Sequence, residues 1–511
     1  MCIHVISRRS LIRAGAGATA AAALTAGTGG VMLAQAAAAV PWRELRGRLS
    51  GTLVLPSDAA YDTAKQLQLA QFDAVRPRAV AYCASESDVA ACIMFARENG
   101  IPAAVRSGGH SHAGYSTGPG LVIDLSRVNA VRVTGDTVHL GAGSQGVDIV
   151  DALAPHGLQV AGGTCPTVAI GGWIQGGGLG FASRKFGMGC DLLESARVVL
   201  ADGRTVTASR HEHRDLFWAL RGGGGGNFGI VTDFEVRPVR IPTLTTYNLN
   251  FRWADATRVI LAWQEWMSIA PRELASELMF LLSTDAPAGT EPNVVLTGAF
   301  HGSEADCDRV LDRLVAAAAP TISRETVELP YQQAMTGVFG CGDKTVPQCH
   351  RLGYSPEAQL SRDNHTTQRN RFFAEPWTCT AAEAALSAFT AEPTPGQFRF
   401  MGFFPYGGRI NEVASTATAF VHRDALFNVG LAVGLNRPDP AQDAKDRARS
   451  WVDGGFGALA PYSNHRSYQN YMDPALTNWR EAYYGHNYAR LRAVKKTYDP
   501  HRFFRFAQGI D

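Results

Sequence analysis

The chain has 511 residues, 46% of them hydrophobic and 18% charged, with a formal net charge of +2. Such a composition buries a sizeable core and excludes extended disorder, and the length suggests two or three domains. No basic block with interleaved aromatics occurs, which argues against nucleic acid as a partner. Near its start the chain reads Ser7-Arg8-Arg9-Ser10-Leu11-Ile12-Arg13, and from Ala14 to Trp42 there is no charged residue. This Ala/Gly-rich stretch ends near the small residues Ala34-Gln35-Ala36 and reads as a twin-arginine export signal over residues 1–39. A secreted protein without stable membrane association is expected, since no later segment is long and apolar enough to span a bilayer.

Short apolar runs then alternate with one helical stretch. Val80-Ala81-Tyr82-Cys83 reads as a strand, and Ser85-Glu86-Ser87-Asp88 opens a capped helix that stops near Asn99-Gly100. Ile101 to Val105 and Leu121 to Leu125 read as further strands, so this is a βαβ unit. Strand-like runs recur at Val131–Val133, Val138–Leu140, Ala196–Ala201 and Ile230–Val236. Beyond Arg240 glycine clusters vanish and aromatic residues gather: Trp253, Trp263, Trp266, Phe372, Phe373 and Trp377. The run from Phe398 to Tyr406 alternates, placing Phe398, Phe400, Phe404 and Tyr406 on one strand face. Phe398 and Phe400 are expected in the core, and Tyr406 where the strand ends at a substrate cavity.

The 53 glycines exceed the usual share of ~7%, and much of the excess falls in three clusters. The first, Arg106-Ser107-Gly108-Gly109-His110-Ser111-His112-Ala113-Gly114, directly follows a strand. The second runs from Gly171-Gly172-Trp173 through Gly176-Gly177-Gly178-Leu179-Gly180, and the third from Gly222 to Gly229. Glycine turns let backbone N–H groups converge on a diphosphate without interference from Cβ atoms. The G-x-G-x-x-G spacing of a Rossmann unit is poorly met, so the clusters imply a dinucleotide held in another fold.

Together with Gly162-Gly163-Thr164-Cys165-Pro166-Thr167, Gly187-Met188-Gly189-Cys190-Asp191 and Asp215-Leu216-Phe217-Trp218-Ala219-Leu220-Arg221, these runs resemble the berberine-bridge-enzyme-like oxidoreductases. That family lies within the vanillyl-alcohol-oxidase/p-cresol-methylhydroxylase flavoproteins. The tail motifs Tyr468-Gln469-Asn470-Tyr471, Tyr483-Tyr484-Gly485-His486-Asn487-Tyr488 and Tyr498-Asp499-Pro500 continue the likeness, which runs from about Phe72 to the C-terminus. Within it the motifs resemble those of aclacinomycin oxidoreductase and the oligosaccharide oxidases. The resemblance implies an α+β fold. An FAD-binding domain of the p-cresol-methylhydroxylase type, with two α/β subdomains, is expected over residues 72–240. A substrate domain with an antiparallel sheet covered by helices follows over 241–455, and a C-terminal segment, 456–511, returns to the FAD domain.

By the same resemblance, FAD is expected to be bonded twice, His110 to its 8α-methyl carbon and Cys190 to C6. Imidazole and thiolate are suitable nucleophiles for an electron-poor ring. Arg106, Ser107, Gly108, Gly109, Ser111, Gly163, Thr164, Gly171, Gly172, Gly177, Gly178, Gly180, Gly229, Val231, Asn487 and Tyr488 are expected to complete the FAD site. Hydride loss from an alcohol carbon also needs a proton acceptor. Tyr468 is the first candidate, Tyr471 the second, and Tyr406 an assistant; a purely packing role for the tyrosines is the bland alternative. Plant members carry a lysine and a glutamine on the strand that here reads Leu426-Phe427-Asn428-Val429-Gly430, so that base arrangement is absent. Ile170 stands where some relatives control oxygen access. An oxidase that forms hydrogen peroxide from O2 is favoured, with a dehydrogenase using another acceptor or a drug-binding flavoprotein as alternatives. The expected substrate is a sugar, an oligosaccharide or a glycosylated metabolite. Of the nine cysteines, Cys341 and Cys349 are expected to form a disulfide; no metal is expected, because Cys349, His350 and His365 fit no common zinc spacing.

Overall fold

The computed structural model describes residues 40–287 and 289–511. The stretch read as an export signal, residues 1–39, lies outside the described residues, among which no helix is long and apolar enough to cross a membrane.

The βαβ unit forms as its sequence suggests. Strands β1 (Thr52–Val54), β2 (Ala79–Tyr82), β3 (Ala103–Arg106) and β4 (Leu121–Asp124) make a sheet of order β1-β2-β4-β3, with β4 parallel to both β2 and β3. The crossover helix Glu86–Glu98 starts where the Ser85 side chain accepts a hydrogen bond from the Asp88 N–H, and ends at Asn99. It buries Val89, Cys92, Ile93, Phe95 and Ala96.

A second sheet combines β5 (Val131–Thr134) and β6 (Thr137–Gly141) with three later strands. A two-residue strand, β7 (Leu158–Gln159), precedes β8 (Leu193–Val199), β9 (Thr205–Ser209) and β10 (Ile230–Val236). The order is β5-β6-β10-β8-β9, antiparallel throughout, and β11 (Val239–Arg240) pairs with β7. One hydrophobic core joins both sheets. The C-terminal segment enters that core through Tyr468, Tyr483, Tyr484 and Leu491.

The third sheet has seven antiparallel strands in the order β15-β12-β14-β13-β17-β18-β16. They are β12 (Thr243–Phe251), β13 (Leu274–Leu282), β14 (Asn293–Phe300), β15 (Ser323–Pro330), β16 (His365–Phe373), β17 (Gln397–Pro405) and β18 (Phe427–Leu435). One face meets helices Ala256–Ile269, Glu304–Ala317, Cys379–Thr390 and Gln442–Ala458 in a separate core, where Trp263, Phe280, Phe389, Phe403 and Phe427 interlock edge to face. Phe403 and Met401 serve that core. Phe398, Phe400 and Phe404, alternate residues of the same strand, point the other way.

Between β15 and β16 the chain leaves the third sheet and docks on the first core through Tyr331, Met335 and Phe339. The Cys341–Cys349 disulfide ties a loop within this excursion, matching the expected pairing and leaving Cys349 no role as a metal ligand. His350 Nε2 lies 3.0 Å from Asp148 Oδ1, and Arg362 grips Asp73 with two hydrogen bonds of 2.6 and 2.9 Å.

Candidate active site

A cavity of about 1680 Å³ separates the glycine clusters from the free face of the third sheet. Single-ligand pockets usually hold roughly 300–1,000 Å³, so there is room for a dinucleotide and a second molecule.

One wall is largely backbone. Ser107, Gly108, Gly109, His110 and Ser111 line it, with Gly163, Thr164, Gly171, Gly172, Gly180, Gly229 and Val231. Gly109 and Gly226 hold φ near +73°, a conformation that side chains strain. A Cβ added at Gly172 or Gly226 would meet no atom within 4 Å and would project into open space. The wall is therefore a concave backbone cradle that side chains would fill, which fits an FAD diphosphate. His110 Nε2 lies 2.9 Å from Thr167 Oγ1, and Cys165 Sγ lies 4.0 Å from that same hydroxyl.

Several residues expected at the flavin lie elsewhere. Cys190 is fully buried and does not line the cavity. The Trp173 indole, which does line it, packs against Gly178 and Gly189 in front of that segment. Burial and the Asp191 carboxylate push the Cys190 thiol far up, so the nucleophilic thiolate is suppressed. Cys165 is the cysteine on the wall, and its sulfur is held in a disulfide. It lies in the same Gly163-Thr164-Cys165 run that already marked the cofactor site, and that adjacency was the available signal. Arg106 is occupied by Asp124 and the Ala64 carbonyl. Gly177 and Gly178 accept backbone hydrogen bonds from Cys190 and Gly189, forming the support behind the wall. Asn487 donates to the Ser415 carbonyl at 2.7 Å and Tyr488 bonds Asp511, both away from the cavity.

The opposite wall consists of side chains. Phe398, Phe400 and Phe404 line it, whereas Tyr406 does not. This reverses the expectation for that strand. The alternation holds only up to Pro405, where β17 ends; Tyr406 then donates its N–H to Leu426 O and turns its ring between Phe372 and Phe420. Burial raises the Tyr406 hydroxyl far above the ordinary phenol range.

The C-terminal tyrosines meet between the walls. Tyr471 lines the cavity and packs edge-on against Tyr468, 5.0 Å between ring centres. The Tyr468 hydroxyl oxygen accepts from the Gly178 N–H and from Asn470 Nδ2, each at 2.9 Å, just behind the lining residues. Burial raises both hydroxyls above their ordinary value. His112, on the wall with its ring edge towards Tyr471, is kept neutral by burial. Glu277 of β13 also faces the cavity, its carboxyl pushed up by burial to about 7. The sequence reading missed it, although a lone acid inside Leu274-Ala275-Ser276-Glu277-Leu278-Met279-Phe280 was a visible anomaly.

Residues 77–209 match the FAD binding domain family, and residues 467–511 match the family described as berberine and berberine like. The FAD-linked oxidoreductase YgaK of Bacillus subtilis is 30% identical over 476 residues, spanning 91% of this chain and 97% of the relative. The glucooligosaccharide oxidase of Sarocladium strictum is 29% identical, covering 84% of this chain and 86% of its own. Among solved structures, the xylooligosaccharide oxidase from Myceliophthora thermophila C1, in complex with xylobiose, superposes with a TM-score of 0.80 at 25% identity. That match covers 93% of this chain and 99% of the oxidase. The α+β fold is thus the one its motifs implied, and the chain belongs to the berberine-bridge-enzyme-like FAD-linked oxidoreductases.

Proposed function

We propose that this enzyme oxidises an alcohol carbon of a sugar, an oligosaccharide or a glycosylated metabolite, with FAD bonded to His110 and, once the disulfide that holds its sulfur is reduced, to Cys165. The observation that carries the reading is the facing of a backbone cradle and an aromatic wall across one cavity, with Tyr471 between them. FAD, when bound, supplies the hydride acceptor and passes its electrons to O2, giving hydrogen peroxide.

Thr167 supports the assignment of both tethers, because its hydroxyl lies within reach of His110 Nε2 and Cys165 Sγ. Tyr471 takes the role of proton acceptor ahead of Tyr468, since Tyr471 is on the wall while the Tyr468 oxygen already receives two hydrogen bonds. Tyr468 then holds the Tyr471 ring in place. Phe398, Phe400 and Phe404 offer apolar faces on which sugar rings or a polyketide could stack. The sugar reading draws on the relatives described as oligosaccharide oxidases. The buried Ile170 side chain on the cavity wall favours one second reading, in which oxygen access is restricted and another acceptor is used. Export through the twin-arginine signal of residues 1–39 completes the proposal.

Mixing the yellow protein anaerobically with cellobiose, maltose, xylobiose and glycosylated antibiotics tests it. Bleaching by at least one compound, followed by peroxide on admission of air, is expected. Bleaching without peroxide would favour the second reading, and no bleaching by any of them would contradict the proposed chemistry.

A further inference from the structure

We propose that Glu277 is the positioning residue for Tyr471, taking the phenolic proton as Tyr471 removes the proton of the substrate hydroxyl. The inference rests on the assignment of Tyr471 as proton acceptor. A neutral phenol cannot gain a proton without losing one, and Tyr471 is held neutral by its burial. A second base must therefore lie within its reach.

The sheet supplies one. Leu278 of β13 pairs with Phe403 of β17, so Glu277, one position earlier, falls beside Phe404 on the cavity face. The Phe404 ring lies 6.4 Å from that of Tyr471, both Glu277 and Tyr471 line the one cavity, and the Glu277 charge adds to burial in raising the Tyr471 hydroxyl. The flanking residues on that face, Ala275, Met279 and Leu281, are apolar. No Lys, Arg or His among the described residues forms an ion pair with Glu277. An acid in such surroundings titrates near neutrality, and here burial sets the value at about 7. The other ionisable groups facing this pair are His112 from the glycine loop, Arg184 from the helix Ser183–Phe186, Tyr247 from β12, and Tyr468 and Tyr406, whose hydroxyls burial keeps protonated. Arg184 is committed to the Met267 and Ala270 carbonyls, and Tyr247 donates to the Ala275 carbonyl. His112, neutral through burial, can accept a proton only at the cost of charging a buried ring.

The balance closes without another reactant. The substrate O–H bond breaks as its proton passes to Tyr471 Oη and the phenolic O–H proton passes to the Glu277 carboxylate; bound FAD would supply the acceptor for the hydride that the carbon gives up as its carbonyl forms.

The test uses holoenzyme carrying Glu277→Gln, Glu277→Asp or Tyr471→Phe, each shown to retain FAD and wild-type circular dichroism. Without any substrate, the tyrosine ultraviolet difference spectrum is followed from about pH 5 to about pH 9. A step near 7 is expected in wild type and Glu277→Asp, and none in Glu277→Gln or Tyr471→Phe. With whichever sugar bleaches the flavin, the anaerobic rate should rise through the same pH in wild type. It should fall about 100-fold in Glu277→Gln, with that limb gone, and recover in part in Glu277→Asp. A step that survives in Glu277→Gln, or a Glu277→Gln rate that keeps the wild-type limb, overturns the proposal. If no sugar bleaches the flavin, the substrate reading fails, while the substrate-free titration still decides on Glu277.

Discussion

The two walls of the cavity are built from different parts of the chain. On the flavin side the wall is backbone: Gly108, Gly109, Gly171, Gly172 and Gly226 bring main-chain atoms to the surface, and their lack of side chains keeps the space open. On the substrate side the wall is a row of alternate side chains, Phe398, Phe400 and Phe404, with Glu277 beside them on the next strand. A backbone wall suits a ligand shared by many relatives, whereas a side-chain wall can be rewritten one residue at a time. The difference teaches where to look for constancy and where for specificity.

Substitutions can sharpen that contrast. The largest effect is expected from Phe403→Ala. Phe403 lies on the helix face of β17, fully buried among Trp263, Phe280 and Phe427, and its loss should cost about 3–5 kcal/mol in urea denaturation. Phe400→Ala, on the cavity face of the same strand, should cost less than half of that and act chiefly on the substrate KM. Equal losses at the two positions would mean that the alternation had been misjudged.

Next comes the backbone wall. A Cβ at Gly180 would fall 1.8 Å from the Gly162 carbonyl oxygen, so Gly180→Ala should destabilise the protein by about 3 kcal/mol. Gly172→Ala meets no such obstacle; the apoprotein should keep its stability within about 0.5 kcal/mol while FAD retention falls. Absorbance per protein, set beside a denaturation curve, separates the two outcomes. A Gly172→Ala protein with full FAD content would break the cradle account.

The smallest effect concerns the excursion between β15 and β16. Burial works against a charged His350, but its hydrogen bond to Asp148 and the charge of that residue carry the imidazole pKa upward. A raised folded-state pKa means that the stabilisation is fully present below the unfolded value of ~6.5 and is lost as pH rises through the folded value. The Tm gap between wild type and His350→Gln should therefore be wider in acid than in base, corresponding to under about 1 kcal/mol. A gap that widens towards high pH would reverse the assignment.

Legibility in the sequence followed the same division. The capped helix Glu86–Glu98 and strand Ile230–Val236 were readable because caps, periodicity and glycine turns are local signals. The glycine wall was readable for the same reason. Cys190 lies off the cavity, because whether a thiol faces a cavity or a core depends on Trp173 and Asp191 packed around it, not on its neighbours in the chain. Tyr406 failed at a strand end, where alternation stops being a guide. Glu277 escaped notice because its partner, Tyr471, lies almost two hundred residues further along and only the folded C-terminal segment brings them to one cavity.

The central claim is that His110 and Cys165, each within reach of the Thr167 hydroxyl, both carry the flavin once the Cys165 disulfide is opened. Acid precipitation of wild type, Cys190→Ser and the double variant His110→Ala/Cys165→Ala measures it directly. The account predicts yellow pellets from the first two and a colourless pellet under a yellow supernatant from the third. A colourless wild-type pellet, or a double variant that stays yellow, would contradict it.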